Sequence, residues 1–210
     1  MNRLYPTEKR EINSPGMADH QNISELAEKA GAGHRASLES LVSLFHKDIF
    51  RMAFYRTRSR MDAEDLTQEI FMQMIKGLPG LKDASRFRPW LYRIAVNRIR
   101  DFHRKKSILS FFGTAADMED SGCTTAEDTG NPLDSLIQKE FLGQFYAFTD
   151  SLSRLEREVF MLRFAEQLGI KEIAGALKKN ENTVKTHLYR ALKKFRENSG
   201  LHEILKGEIS

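Results

Sequence analysis

The sequence predicts an all-helical protein of two small domains joined by a flexible acidic linker, on three observations. Apolar residues recur at spacings of three and four rather than two, basic residues gather on two separated helices, and a polar segment without Lys or Arg lies between them. The 210 residues, 40% hydrophobic and 30% charged, suffice for two small cores.

The leader, residues 1–21, is polar and is predicted to be disordered; Met17 within it offers a second position for the start of translation. A short helix is expected around Ser24 to Ala30, broken by Gly31 and Gly33. A long helix over Ala36 to Arg58 follows, with Leu38, Leu41, Val42, Phe45, Ile49, Met52 and Ala53 along one face. Asp62 is placed to cap the next helix, with Asp65 three residues on and a buried stripe of Leu66, Ile70, Phe71, Met74 and Leu78. That helix should end near Gly77-Leu-Pro-Gly80. Pro89 suits the first position of a further helix whose apolar side is Leu91, Ile94, Ala95, Ile99 and Phe102. Residues 22–106 thus make the first domain.

Residues 107–131 read as the linker, rich in Gly, Ser, Thr, Asp and Glu and holding Asp117, Glu119, Asp120, Glu127 and Asp128. After Pro132 the helical period returns with Leu136, Ile137, Phe141, Phe145 and Phe148, and Ser153-Arg-Leu-Glu156 is a capping box for a helix reaching Phe164. A helix-turn-helix pattern runs from Ile170 to Arg196, with Asn180 as cap and Val184, Leu188, Ala191, Leu192 and Phe195 on the inner side of its second helix. This second domain spans residues 132–198, and 199–210 form a C-terminal tail.

The charges define three outward faces. On the helix after Asp62, Asp65, Gln68, Glu69 and Met72 lie away from the buried stripe, an acidic face that repels phosphate and suits a basic protein partner. On the helix after Pro89, Arg93, Asn97, Arg100 and Arg104 share the face opposite the core, extended by Lys105 and Lys106. On the second helix of the helix-turn-helix, Asn182, Lys185, Thr186, Tyr189 and Arg190 face outward, with side chains that can reach phosphates and base edges in a major groove. The formal charge is only +4, so this bunching matters more than the total, and a nucleic acid is the expected polyanion. Trp90 reads as a core anchor.

Other classes are excluded on chemistry. Cys123 is the sole cysteine, and the six histidines have no metal-ligand spacing with it or with one another, so neither a disulfide nor a metal is expected. No cofactor is expected either, since there is no Gly-rich phosphate loop, and no nucleophile and base arrangement marks an enzyme. No apolar run approaches the roughly 20 residues needed to span a bilayer, so membrane insertion is not expected and the protein should reside in the cytoplasm.

Asp62-Ala-Glu-Asp-Leu-Thr-Gln-Glu69, the run Trp90-Leu-Tyr-Arg to Asn97, and the terminal helix-turn-helix together resemble the sigma factors of bacterial RNA polymerase, specifically the compact extracytoplasmic-function group that keeps only regions two and four. The resemblance implies that Asp65, Gln68, Glu69 and Met72 dock on the clamp helices of core RNA polymerase. It further implies that the loop Asp83, Ala84, Ser85, Arg86 and Phe87, with Arg93, Asn97, Arg100 and Arg104, reads the minus-ten element of promoter DNA. Asn182, Thr183, Lys185, Thr186, Tyr189 and Arg190 would read the minus-thirty-five element, the linker would thread through the polymerase, and an anti-sigma factor would be a partner. The aromatic dyad with which primary sigma factors wedge DNA apart is not evident, so melting would rest on capture of an extruded base in the loop. The turn of the helix-turn-helix carries Lys178 and Lys179 where the family usually has Gly and an apolar residue, and Ser153 stands where a Pro often opens region four.

The alternative reading is a regulator of the LuxR type, whose output domains share Thr183-Val-Lys-Thr-His-Leu188. Such proteins need a sensing module, and the N-terminal half shows no alternation of strands and helices that would supply one.

Overall fold

Four helices in the first half of the chain pack because each carries one apolar stripe that only its neighbours can cover. The computed structural model describes residues 17–111 and 132–197, all of whose regular structure is helical. In chain order the helices are α1 (Met17–Gly31), α2 (Arg35–Thr57), α3 (Arg60–Gly77), α4 (Phe87–Phe111), α5 (Pro132–Ser151), α6 (Arg154–Phe164), α7 (Ile170–Leu177) and α8 (Glu181–Glu197). Two compact units result, one centred on α1 to α4 and the other on α5, α6 and α8.

Helix α2 buries Leu41, Phe45, Ile49, Met52 and Ala53, the predicted stripe less Leu38 and Val42, which are half-buried. His34 caps it, its Nδ1 accepting from the Ser37 N–H at 3.3 Å. The turn before it is made possible by Gly33, whose φ of 93° costs a glycine little. Helix α1 is longer than predicted and begins at Met17, inside the supposed leader; residues 1–16 lie outside the described part.

Helix α3 buries Leu66, Ile70, Phe71 and Met74 as predicted, and Leu78 follows in a single 3-10 turn, Leu78–Gly80. Its cap differs from the prediction. Ser59, extended at φ −133° and ψ 126°, accepts from the Asp62 N–H at 3.3 Å, so the helix starts ahead of Asp62. Ser59-Arg-Met-Asp62 offers a cap three residues upstream, and the earlier start adds backbone hydrogen bonds. Glycine at 77 lets α4 approach, because a Cβ there would lie 2.9 Å from the Trp90 ring.

Helix α4 also starts earlier than predicted, at Phe87, after a 3-10 turn at Ala84–Arg86. Pro89 therefore occupies the third helical position, tolerated because the first four N–H groups have no intrahelical partner. Its buried face is Leu91, Tyr92, Ala95, Val96 and Ile99, whereas Ile94 and Phe102 are only half-buried. The helix runs to Phe111, into the predicted linker, whose remaining residues lie outside the described part together with Cys123 and the C-terminal tail.

In the second unit, α5 begins at the predicted Pro132; the side chains of Leu136, Ile137 and Phe141 lie outside the described part. Phe148 is buried with its ring edge-on to Phe160 at 5.2 Å and to Phe195 at 5.3 Å, an aromatic cluster joining α5, α6 and α8. Ser153 and Glu156 form the predicted capping box of α6, and the Asn180 side chain caps α8, accepting from the Thr183 N–H at 2.7 Å.

The turn between α7 and α8 resolves the unusual Lys178-Lys179 pair. Lys178 has φ 52°, the left-handed conformation for which glycine is ordinarily chosen, and the Lys179 N–H closes onto the Ala174 carbonyl at 3.0 Å. A side chain there costs roughly 1 kcal/mol, so Lys178→Gly is expected to stabilise the protein by about 0.5–1 kcal/mol. Urea denaturation checks this; a lowered midpoint would mean that the lysine side chain makes a stabilising contact.

Candidate polymerase and nucleic-acid interfaces

The acidic face of α3 follows from its stripe. With Leu66, Thr67, Ile70 and Phe71 turned inward, Asp65, Gln68 and Glu69 are exposed, and Met72 is 49% exposed. Asp62 and Glu64 are engaged, the first by Lys106 at 3.8 Å and the second by Arg60 at 2.9 Å. Asp65, Gln68 and Glu69 have no hydrogen-bonding or ionic partner among the described residues. Unneutralised carboxylates beside an exposed thioether are suited to a basic partner with some apolar surface. Ile75 prolongs this surface toward a shallow groove floored by Leu38, Val42 and His46 of α2.

Preceding α4, the loop is held by its own side chains. Asp83 Oδ1 accepts from the Ser85 N–H at 3.1 Å and from the Ser85 hydroxyl at 2.5 Å, while Oδ2 faces Arg86 Nε at 3.2 Å. The Ser85 hydroxyl bond is the main cause that keeps the Asp83 carboxyl below its ordinary range; partial desolvation opposes it, and the Ser85 N–H and Arg86 charge assist. Asp83, Ser85 and Arg86 are exposed and Ala84 is half-buried. Phe87 is the exception and corrects the sequence reading: it is fully buried, 5.6 Å from the Phe45 ring and 5.9 Å from Trp90. It anchors the loop and offers no surface to DNA.

Beyond the loop, α4 presents Asn97 exposed at the centre of its outer face, flanked by half-buried Arg93 and Arg100. Arg100 Nε is shielded from solvent yet has no hydrogen-bond partner among the described residues, an arrangement that a phosphate oxygen would satisfy. Arg104 is exposed and already paired with Asp101 at 3.1 Å.

Helix α8 shows Asn182, Lys185, Thr186, Tyr189 and Arg190 exposed, Tyr189 by 63%, with Thr183 half-buried at the cap. The Thr186 hydroxyl donates to the Asn182 carbonyl at 2.9 Å, which leaves its lone pairs outward. Lys185 and Arg190 have no ionic partner among the described residues. Lys194, one face round, bonds Glu156 of α6 at 2.8 Å and fixes the helix to its support. Glu156 is 5% exposed, and Lys194 chiefly holds its carboxyl below the usual carboxylate range, against burial and with help from Ser153. The stabilisation from a depressed carboxylate is present above its unfolded value and is lost as pH falls through the folded one, so acid should loosen this support.

The family model for Sigma-70 region 2 matches residues 41–108, and that for Sigma-70, region 4 matches residues 142–195. The chain belongs to the sigma-70 family, in its extracytoplasmic-function group. This sigma factor is 30% identical to the ECF RNA polymerase sigma factor BldN of Streptomyces coelicolor over 180 residues, 84% of the present chain and 65% of BldN. It is 27% identical to the ECF RNA polymerase sigma factor SigX of Bacillus subtilis over 179 residues, 82% of the chain and 87% of SigX. The fold is that of CnrH, solved with the cytosolic domain of CnrY, at a TM-score of 0.63 and 21% identity over 87% of this chain and 97% of that one. A second match is RpoE of Bartonella quintana, at 0.60 and 20% identity over 80% and 96%.

Region two of the sigma factor thus comprises α2 to α4, and region four the later part of α5 through α8. No helix among the described residues is long and apolar enough to cross a membrane. Sequence reasoning missed the apolar continuation through Ile75, which follows Met72 by three positions, and the Glu156–Lys194 link. The first had a visible signal in that spacing. The second spans 38 positions and had none.

Proposed function

We propose that this sigma factor divides its labour among three faces: Asp65, Gln68, Glu69 and Met72 dock on core RNA polymerase, the Asp83 to Arg86 loop with Arg93, Asn97, Arg100 and Arg104 acts on the minus-ten element, and α8 reads the minus-thirty-five element. The observation that carries this reading is the distribution of unpaired charge among the described residues: Asp65 and Glu69 on α3, Arg93 and Arg100 on α4, and Lys185 and Arg190 on α8 have no internal ion-pair partner. In α8, Lys185, Thr186 and Arg190 with Asn182, Thr183 and Tyr189 meet duplex; in α4, Asn97 meets the melted strand. An anti-sigma factor belongs to the proposal, supported by RpoE having been solved in complex with the anti-sigma factor NepR. The LuxR-type alternative loses ground because region-two and region-four matches account for both halves of the chain.

The test is promoter-dependent transcription and permanganate footprinting with purified core polymerase. Asn97→Ala is expected to spare recruitment to duplex promoter and to lower open-complex formation by roughly tenfold, within the 1–3 kcal/mol typical of a good base contact. Normal opening with unaltered preference among minus-ten sequences would remove Asn97 from the reading face.

A further inference from the structure

Every polar arm of Asp83 is spent inside its own loop. One carboxylate oxygen takes both the N–H and the hydroxyl hydrogen of Ser85, and the other faces Arg86, although the Asp83 and Arg86 side chains are 52% and 79% exposed. The closure is made by the loop's own side chains, Asp83-Ala-Ser-Arg86, on a turn that packs against α1 and α4 and is pinned downstream by buried Phe87. A bare carboxylate facing a DNA strand would repel phosphate; this one is matched by Arg86 before any DNA arrives.

We propose that Asp83 is a positioning residue that presets the loop for the melted strand and does not itself read a base. The proposal rests on the loop acting at the minus-ten element, and it assigns distinct roles within it. Because the Ser85 hydroxyl hydrogen is given to Asp83, Ser85 turns only acceptor lone pairs toward an extruded base. Arg86 keeps the four terminal N–H donors of its guanidinium for a phosphate or base edge, its Nε being the group that faces Asp83. Removing Asp83 frees the Ser85 hydroxyl to rotate and donate, and the loop loses the fixed polarity on which discrimination depends.

The experiment uses the full chain assembled with core polymerase on a set of promoters in which each minus-ten position is varied, read by permanganate reactivity and by recruitment to duplex. Asp83→Ala should reduce open-complex formation about tenfold, the scale of one hydrogen-bonded base contact, and flatten preference among minus-ten sequences while recruitment is unchanged. Asp83→Asn retains the Oδ1 acceptor and should restore most of the preference. Ser85→Ala should reproduce the flattening, and adding it to Asp83→Ala should cost nothing further, since coupled residues are non-additive. The proposal is overturned if Asp83→Asn is as defective as Asp83→Ala, if the double variant is additive, or if Asp83→Ala leaves preference intact while Asn97→Ala and Arg86→Ala disturb it. If Asn97→Ala and Arg86→Ala also leave the minus-ten step untouched, the minus-ten assignment itself fails, and the positioning role with it.

Discussion

Reversing Asp65 and Glu69 to lysine together is expected to weaken association with core polymerase by about a hundredfold, with the helical signal and melting behaviour almost unchanged. Both side chains project from α3 away from Leu66 and Ile70 and have no internal partner among the described residues, so their replacement disturbs no packing. Exposed substitutions of that kind usually alter stability by about 0.5 kcal/mol or less. Placing like charge against a basic partner costs several kcal/mol at an interface, which sets the size of the loss. Competition for core enzyme against the wild-type chain measures it, at two salt concentrations because screening reduces the charge effect. Undiminished competition would separate this face from polymerase binding.

Phe148→Ala should have the largest effect on stability. Its ring is 1% exposed and meets Phe160 and Phe195 edge-on, so truncation leaves a cavity at the place where α5, α6 and α8 converge. Removal of a buried Phe costs roughly 3–5 kcal/mol, a large share of the 5–15 kcal/mol that holds a typical domain together. The minus-thirty-five reader should lose its support and duplex promoter recruitment should collapse, while Phe148→Leu retains most of the volume and should cost less than about 1.5 kcal/mol. Urea denaturation followed by circular dichroism checks the stability, and equal midpoints for the wild type and Phe148→Ala would show that the cluster is not a keystone.

The features legible in the sequence are those whose physics closes within about one helical turn. The Ser153–Glu156 capping box and the Asn180 cap need only partners three residues apart, and both occur as expected. The α2 and α3 stripes follow from the helical repeat, so the outward position of Asp65, Gln68 and Glu69 followed as well. The same argument placed Asn97 opposite the core and the polar side chains of α8 in solvent.

Where two local solutions compete, the sequence is silent on which prevails. Ser59 and Asp62 are both good caps, and the choice of Ser59 lengthens α3 against its neighbours. Helix α4 carries a broad apolar band, and only the helices packed on it decide that Tyr92 and Val96 are buried while Ile94 and Phe102 stay half-covered. Phe87 looked like a loop residue available to DNA until Phe45, 42 positions earlier, closed over it. Lys178 in a left-handed turn and Glu156 joined to Lys194 are likewise decisions of the folded chain. By itself, then, the sequence determined the helices, the caps of α6 and α8 and the outward charge of three faces, because these depend on spacing along the chain; tertiary structure decided which apolar side chains were covered and which charges found partners, because those depend on residues that meet only when the helices pack.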